Sequence, residues 1–271
     1  SAAFVAYDAD NDRILGASSL SDVDGCKVVN VRRWRVVNNV LYVTVGITHP
    51  TTGKKIGALL RWYGDKNDPW KFHIVGLVDN EAAELACFNN RIYIGTWAMV
   101  SAVHVSPEIP EGGFTPVSID SEMWPKVWTS DVAESTKTLG RSITSVAGFH
   151  EWRNHLYWGV FCPNYYVLSS AQATYGSLTS PDALAFILGN YRTPSFWRID
   201  KDNNYELLYG DTTNPKPVYD KEGKIEKWEL EPSGMEAKWG RGGFGNLWTI
   251  YIWAIQEYEG NMYVGTMDLS N

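Results

Sequence analysis

One pattern limits this chain more than any other: a short hairpin of two apolar strands that returns along its length. Trp34 to Ile47 reads WRVVNNVLYVTVGI, an apolar strand, an Asn-Asn turn, and a second strand centred on Tyr42. The layout recurs in LACFNNRIYIGTWA (Leu85 to Ala98), VAGFHEWRNHLYWGVF (Val146 to Phe161) and IQEYEGNMYVGTMD (Ile255 to Asp268), with Tyr93, Tyr157 and Tyr263 at the matching place. Asn and Gly tolerate positive φ, which tight two-residue hairpins require, so each copy predicts a β-hairpin. Internal repetition of this kind dictates the whole fold, since one hairpin cannot bury its own apolar face.

A second hairpin type lies between copies of the first. FVAYDADNDRIL (Phe4 to Leu15) and FWRIDKDNNYELL (Phe196 to Leu208) share an aromatic strand, an Asp-rich turn and an apolar strand. ALLRWYGDKNDPWKFHIVG (Ala58 to Gly76) has the same layout, and SAVHVSPEIPEGGFTPV (Ser101 to Val117) reads as a weaker copy. Tyr42 and Tyr93 are spaced at about 50 residues, the length of a four-stranded propeller blade. Alternation of the two types predicts an all-β fold, a β-propeller of four to five blades with four antiparallel strands each. The count depends on whether KPVYDKEGKIEKWEL (Lys216 to Leu230) is a divergent hairpin.

The chain opens on the second type and closes on the first, which predicts a ring closed by N-terminal and C-terminal hairpins sharing one blade, with Met262 to Thr266 beside Ala3 to Asp8. Closure would remove exposed sheet edges. The expected organisation is one propeller domain over residues 1–271, with insertions near residues 164–194 and 211–246.

The run apolar-Tyr-apolar-Gly-Thr after a Gly or Asn turn, in Asn261-Met262-Tyr263-Val264-Gly265-Thr266 and Arg91-Ile92-Tyr93-Ile94-Gly95-Thr96, resembles the blade repeat of kelch-like and related bacterial β-propellers. The resemblance covers most of the chain in short, degenerate copies and implies the fold alone. The Gly-Gly pairs of a kelch blade stand out of place here, at Gly112-Gly113 and Gly242-Gly243.

Composition narrows the partners. A net charge of −7 speaks against nucleic acid, whose phosphates need clustered Lys and Arg; Arg32-Arg33-Trp34-Arg35 is too small a cluster for such a footprint. No apolar run is long enough to span a membrane as a helix. Cys26, Cys87 and Cys162 show no metal-ligand spacing and are expected to be buried thiols. The opening Ser-Ala-Ala suits the start of an exported chain, so an extracellular or periplasmic location is expected.

Several motifs invite chemistry. Asp8, Asp10 and Asp12 alternate like half of a calcium loop, but Arg13 and Ser19 stand where an EF-hand needs Gly and a bidentate acid, so the turn reading is preferred. The stretch Gly240 to Asn246, GRGGFGN, has the glycines of a phosphate loop without its Lys-Ser/Thr, and reads as an approach to the last hairpin. His150 and His155 fall in a hairpin turn, and no histidine spacing fits a metal or cofactor site.

Ligands of propellers collect where the inner strands converge. Aligning the repeats places Arg32, Arg33 and Trp34, then Glu81 and Glu84, then Arg141 and Thr144, then Tyr251 and Trp253 at the strand starts. This mixture of charge and aromatic faces suits a sugar or another polar ligand. The expectation is a non-catalytic binding or scaffold module for carbohydrate or a protein partner, without cofactor. Two alternatives stand beside it: a glycoside hydrolase or lyase using carboxylates such as Asp68, Glu81, Glu84 or Glu257, and a subunit of a larger extracellular assembly.

Overall fold

The expected turns form as their residues dictate. Asn38 and Asn39 have φ of 49° and 62°, Asn89 and Asn90 47° and 53°, Arg153 and Asn154 47° and 61°, and Glu259 and Gly260 49° and 74°. Two successive residues at positive φ give a turn whose twist matches that of the flanking strands. The computed structural model describes residues 2–98, 100–132, 145–162 and 192–269, and over these the chain is all-β with curled sheets.

In chain order the strands are β1 (Ala2–Asp8), β2 (Arg13–Leu20), β3 (Asp22–Val23), β4 (Cys26–Val37), β5 (Val40–Thr48), β6 (Lys55–Trp62), β7 (Phe72–Val78), β8 (Glu81–Phe88), β9 (Arg91–Trp97), β10 (Ala102–Glu108) and β11 (Lys126–Thr129). They continue as β12 (Ser145–Trp152), β13 (His155–Phe161), β14 (Phe196–Ile199), β15 (Tyr205–Tyr209), β16 (Thr213–Tyr219), β17 (Ile225–Pro232), β18 (Thr249–Tyr258) and β19 (Asn261–Asp268). The chain divides into two compact units: Ser1–Thr96 with Val103–Lys126, and Trp97–Ala102 with Val127–Asn271.

In the first unit, β4, β5, β6 and β7 form an antiparallel meander with β3 beside β4, and β8 pairs with β9. Both faces of the meander are apolar and alternate with the pleat. Val43, Val45, Ile47, Leu60 and Ile74 fill one cluster. Tyr42, Leu59 and Val75 face a second with Leu85, Ile92 and Ile94 of β8 and β9. Residues 109–125 run without a strand, against the hairpin expected over Ser101 to Val117; Pro107, Pro110 and Pro116 remove donors that a returning strand would need. This loop is tied down instead: Trp124 N donates to Leu77 O at 2.9 Å, and the Trp124 ring lies so close to Gly76 that a Cβ there would sit 2.4 Å from it.

In the second unit, β12, β13, β14 and β15 form another four-stranded antiparallel meander. Trp158 and Trp197 stack across one face at 6.4 Å with 10° between planes, while Tyr157 and Phe196 stack across the other at 5.9 Å. The latter face packs on Ile252 and Ile255 of β18 and on Met262 and Val264 of β19. The Lys216 to Leu230 segment does form a hairpin, β16 with β17, but as a two-stranded sheet and not as half of a meander.

Within their own units, β1 pairs with β2 and β19 pairs with β18. The three cysteines are unbridged, with Cys26 and Cys162 buried.

Candidate functional site

Four of the residues expected to face a ligand meet one another in the first unit. Arg32 Nε donates to Glu81 Oε1 at 2.5 Å, and Asn30 Nδ2 donates to the same oxygen at 3.0 Å. One strand step on, Arg33 Nη2 donates to Glu84 Oε1 at 2.7 Å while its Nε donates to Oε2 at 3.2 Å, a two-point grip on a carboxylate whose residue is buried. Arg35 Nη1 continues the series to Leu85 O at 3.4 Å. The arginines of β4 thus clasp the acids of β8, and the charged residues neutralise each other across the two strands.

Trp34, between those arginines, meets Phe72 in a T-shaped contact at 5.9 Å and remains 40% exposed. In the second unit Tyr251 is buried against Phe161 at 4.3 Å, and Trp253 meets Tyr251 edge-on at 4.8 Å while 62% exposed. Arg141 and Thr144 lie outside the described residues. The candidate set therefore falls into an ion-paired seam, one pocket-facing tryptophan, and an aromatic pair on β18.

Trp34 leads to a pocket that the sequence reading passed over. A cavity of about 420 Å³ in the first unit is walled by Trp34, Trp62, Trp70, Phe72 and Tyr7, and its polar side carries Asp8, Asp10, Asp65 and Lys66. The β1–β2 hairpin and the β6–β7 strands with their loop build most of it, and Trp34 of β4 completes the wall. In the loop, Asp65 Oδ1 accepts from Asn67 N at 2.7 Å and from Asp68 N at 3.0 Å; the backbone bonds from Asp68 and Asn67 lower its pKa. Trp62 Nε1 donates to Pro69 O at 2.9 Å, which fixes the indole in the wall. Asp68 and Pro69 are thereby turn residues, and the Asp-Pro pair weighed as a glycosidase carboxylate supplies backbone groups to the loop.

In the hairpin, Asp8 makes its turn as the sequence suggested. Its Oδ2 accepts from Asn11 Nδ2 at 2.9 Å and its Oδ1 from Asp10 N at 3.2 Å. Asp200 does the same for Asp202 N at 2.8 Å and Asn204 N at 2.9 Å. The Asn11 bond chiefly lowers the Asp8 carboxyl, against the opposing effect of burial, with Lys66 at 3.7 Å and Arg13 at 3.8 Å adding their charge. Lys66 also reaches Asp10 at 3.5 Å. The pocket mouth is thus a row of acids bridged by one lysine, over an aromatic floor.

A second polar cluster lies apart from the pocket. His104 is 1% exposed; its Nδ1 faces Trp124 O at 2.7 Å and its Nε2 faces Asp79 Oδ1 at 3.0 Å, while Lys126 Nζ reaches Asp79 Oδ2 at 2.5 Å. Burial alone would raise the Asp79 carboxyl, but the bonds and charges of His104 and Lys126 outweigh it and hold it far below the carboxylate range. Every polar atom here has an internal partner, which makes it a brace for the 109–125 loop.

The signal for the pocket was present in the density of RWYGDKNDPWKF, three aromatics wall-facing among six polar residues. Its meeting with Tyr7 and Asp10 is a tertiary fact. No protein-family model matches the chain, and no curated protein matches it.

Proposed function

We propose that the protein is a non-catalytic carbohydrate-binding module, built as a kelch-like β-propeller of four to five blades, with the pocket under the β1–β2 hairpin as its sugar site. The propeller reading is supported by the four-stranded meanders β4–β7 and β12–β15, which repeat one turn chemistry and bury both faces. The observation that carries the function is the pocket's two-sided character. Trp34, Trp62 and Trp70 offer flat faces to the C–H side of a sugar ring, and Asp10, Asp65 and Lys66 stand where ring hydroxyls need donors and acceptors. The volume suits one or two rings.

The test is a glycan array followed by calorimetry on the best oligosaccharide. Binding should saturate at one site per chain and weaken at least tenfold in Trp70→Ala and in Trp34→Ala, both checked for an unchanged circular dichroism spectrum. An array without a bound glycan, or binding indifferent to both tryptophans, would sink the reading.

A further inference from the structure

The four matching tyrosines of the repeat are not in matching places. Tyr42, Tyr93 and Tyr157 are 0%, 0% and 1% exposed, whereas Tyr263 is 56% exposed. The difference has a simple structural correlate. Each buried tyrosine lies on the second strand of its hairpin and faces a residue of a third strand: Tyr42 pairs with Arg61, Tyr93 with Val105 and Tyr157 with Arg198. Among the described residues β19 has β18 as its single ladder neighbour.

The outer side of β19 is suited to receive such a strand. Over Asn261–Asp268 it carries neither Pro nor Lys, the residues that usually blunt an edge. Beside it, within the same unit, opens a second cavity of about 370 Å³ lined by Phe196, Tyr209, Trp239, Phe244, Met262 and Val264. Phe244 reaches it from the glycine-rich stretch, where it holds φ of 57°, a rare setting for a bulky residue. Gly243 N donates to Pro194 O at 2.9 Å, and a Cβ on Gly242 would lie 2.3 Å from Thr193 Oγ1. The stretch is therefore tied down, and its glycines serve to bring Phe244 onto Tyr209 at 4.8 Å, edge to face. Strain of this kind clusters where a surface is held ready for a ligand.

Charge indicates the occupant. The β18–β19 hairpin bears Glu257, Glu259 and Asp268 and no Lys or Arg. In two of the three complete repeats the residue facing the tyrosine is arginine, and each bonds locally: Arg61 Nη1 donates to Phe114 O at 2.6 Å, and Arg198 Nε to Glu206 Oε2 at 2.5 Å. We propose that β19 is an acceptor edge for an extended strand of a partner protein, antiparallel to β19, with an arginine facing Tyr263 and an aromatic side chain seated in the Phe196–Trp239–Phe244 cavity. This is strand addition: main-chain bonds supply affinity, while the cavity and the acidic hairpin supply choice. It is independent of the sugar pocket.

The probe is a capped peptide with the sequence of residues 194–200, Pro-Ser-Phe-Trp-Arg-Ile-Asp, which carries its arginine in the register that Arg198 takes against Tyr157. Titrated into the intact chain, it should bind with a dissociation constant of about 10–100 μM, protect the amides of residues 262–266 from hydrogen exchange, and weaken with added salt. Replacing its arginine by glutamate, or making Trp239→Ala in the protein, should weaken binding at least tenfold. No binding, protection outside β19, or equal affinity for the glutamate peptide overturns the proposal. So does light scattering showing that the edge is already taken by a second copy that the peptide fails to displace.

Discussion

Nε2 of the buried His104 stands 3.0 Å from Oδ1 of the half-buried Asp79 in the first unit, and Lys126 closes on the other carboxylate oxygen. Since the folded-state pKa of Asp79 is depressed, its contribution to stability is complete above the ordinary carboxyl value near 4 and is lost as pH falls from there toward the much lower folded value. Chemical denaturation across pH 2–7 should show this acid limb. Asp79→Asn should flatten it and cost about 1–3 kcal/mol at neutral pH; an unchanged limb in the variant would assign it to other carboxyls.

The paired arginines and acids of β4 and β8 should couple weakly. A double-mutant cycle on Arg33→Ala and Glu84→Ala should return a coupling of about 1 kcal/mol, because the Arg33 side chain is 48% exposed and screened by solvent. The coupling should shrink in molar salt. If Arg33 and Glu84 instead contact a ligand separately, their effects would add with no coupling.

Gly76 tolerates no side chain without movement of Trp124. Gly76→Ala should cost about 1–3 kcal/mol by overpacking, measured in urea, and the loss should be largely relieved in Gly76→Ala combined with Trp124→Leu. A neutral Gly76→Ala would show that the loop is not seated there.

Positive φ at Asn39 and Asn90 makes these turns selective for a few residues. Asn39→Gly should be close to neutral and Asn39→Val should destabilise by about 1 kcal/mol or more. The same pair at Asn90 should behave alike, with melting temperature as the readout.

The hairpins were legible because their turns confine the choice of residue: Asn38-Asn39, Asn89-Asn90 and Glu259-Gly260 announce a left-handed backbone before any packing is known. Strand alternation in VLYVTVGI was equally plain, with Val43 and Val45 on one face and Tyr42 on the other. What escaped the sequence are contacts between elements. By sequence Arg32 and Arg33 are charges available to a ligand, yet β8 brings Glu81 and Glu84 to them from about fifty residues away. The pocket escaped for the same reason, since Tyr7 and Trp70 belong to separate hairpins. Ser101 to Val117 misled by composition: its first half pairs with β9 as β10, but its prolines keep the second half from returning as a strand.

Trp124 on Gly76 also bears on the order of folding. The strands of the β4–β7 meander join neighbours across short turns, so their pairings close small loops and can form early, whereas seating Trp124 closes a loop of nearly fifty residues and is entropically costly until its receiving surface exists. The loop thus acts as a late clasp on a finished sheet, and the energy it contributes is expressed mainly as slower unfolding and little as faster folding.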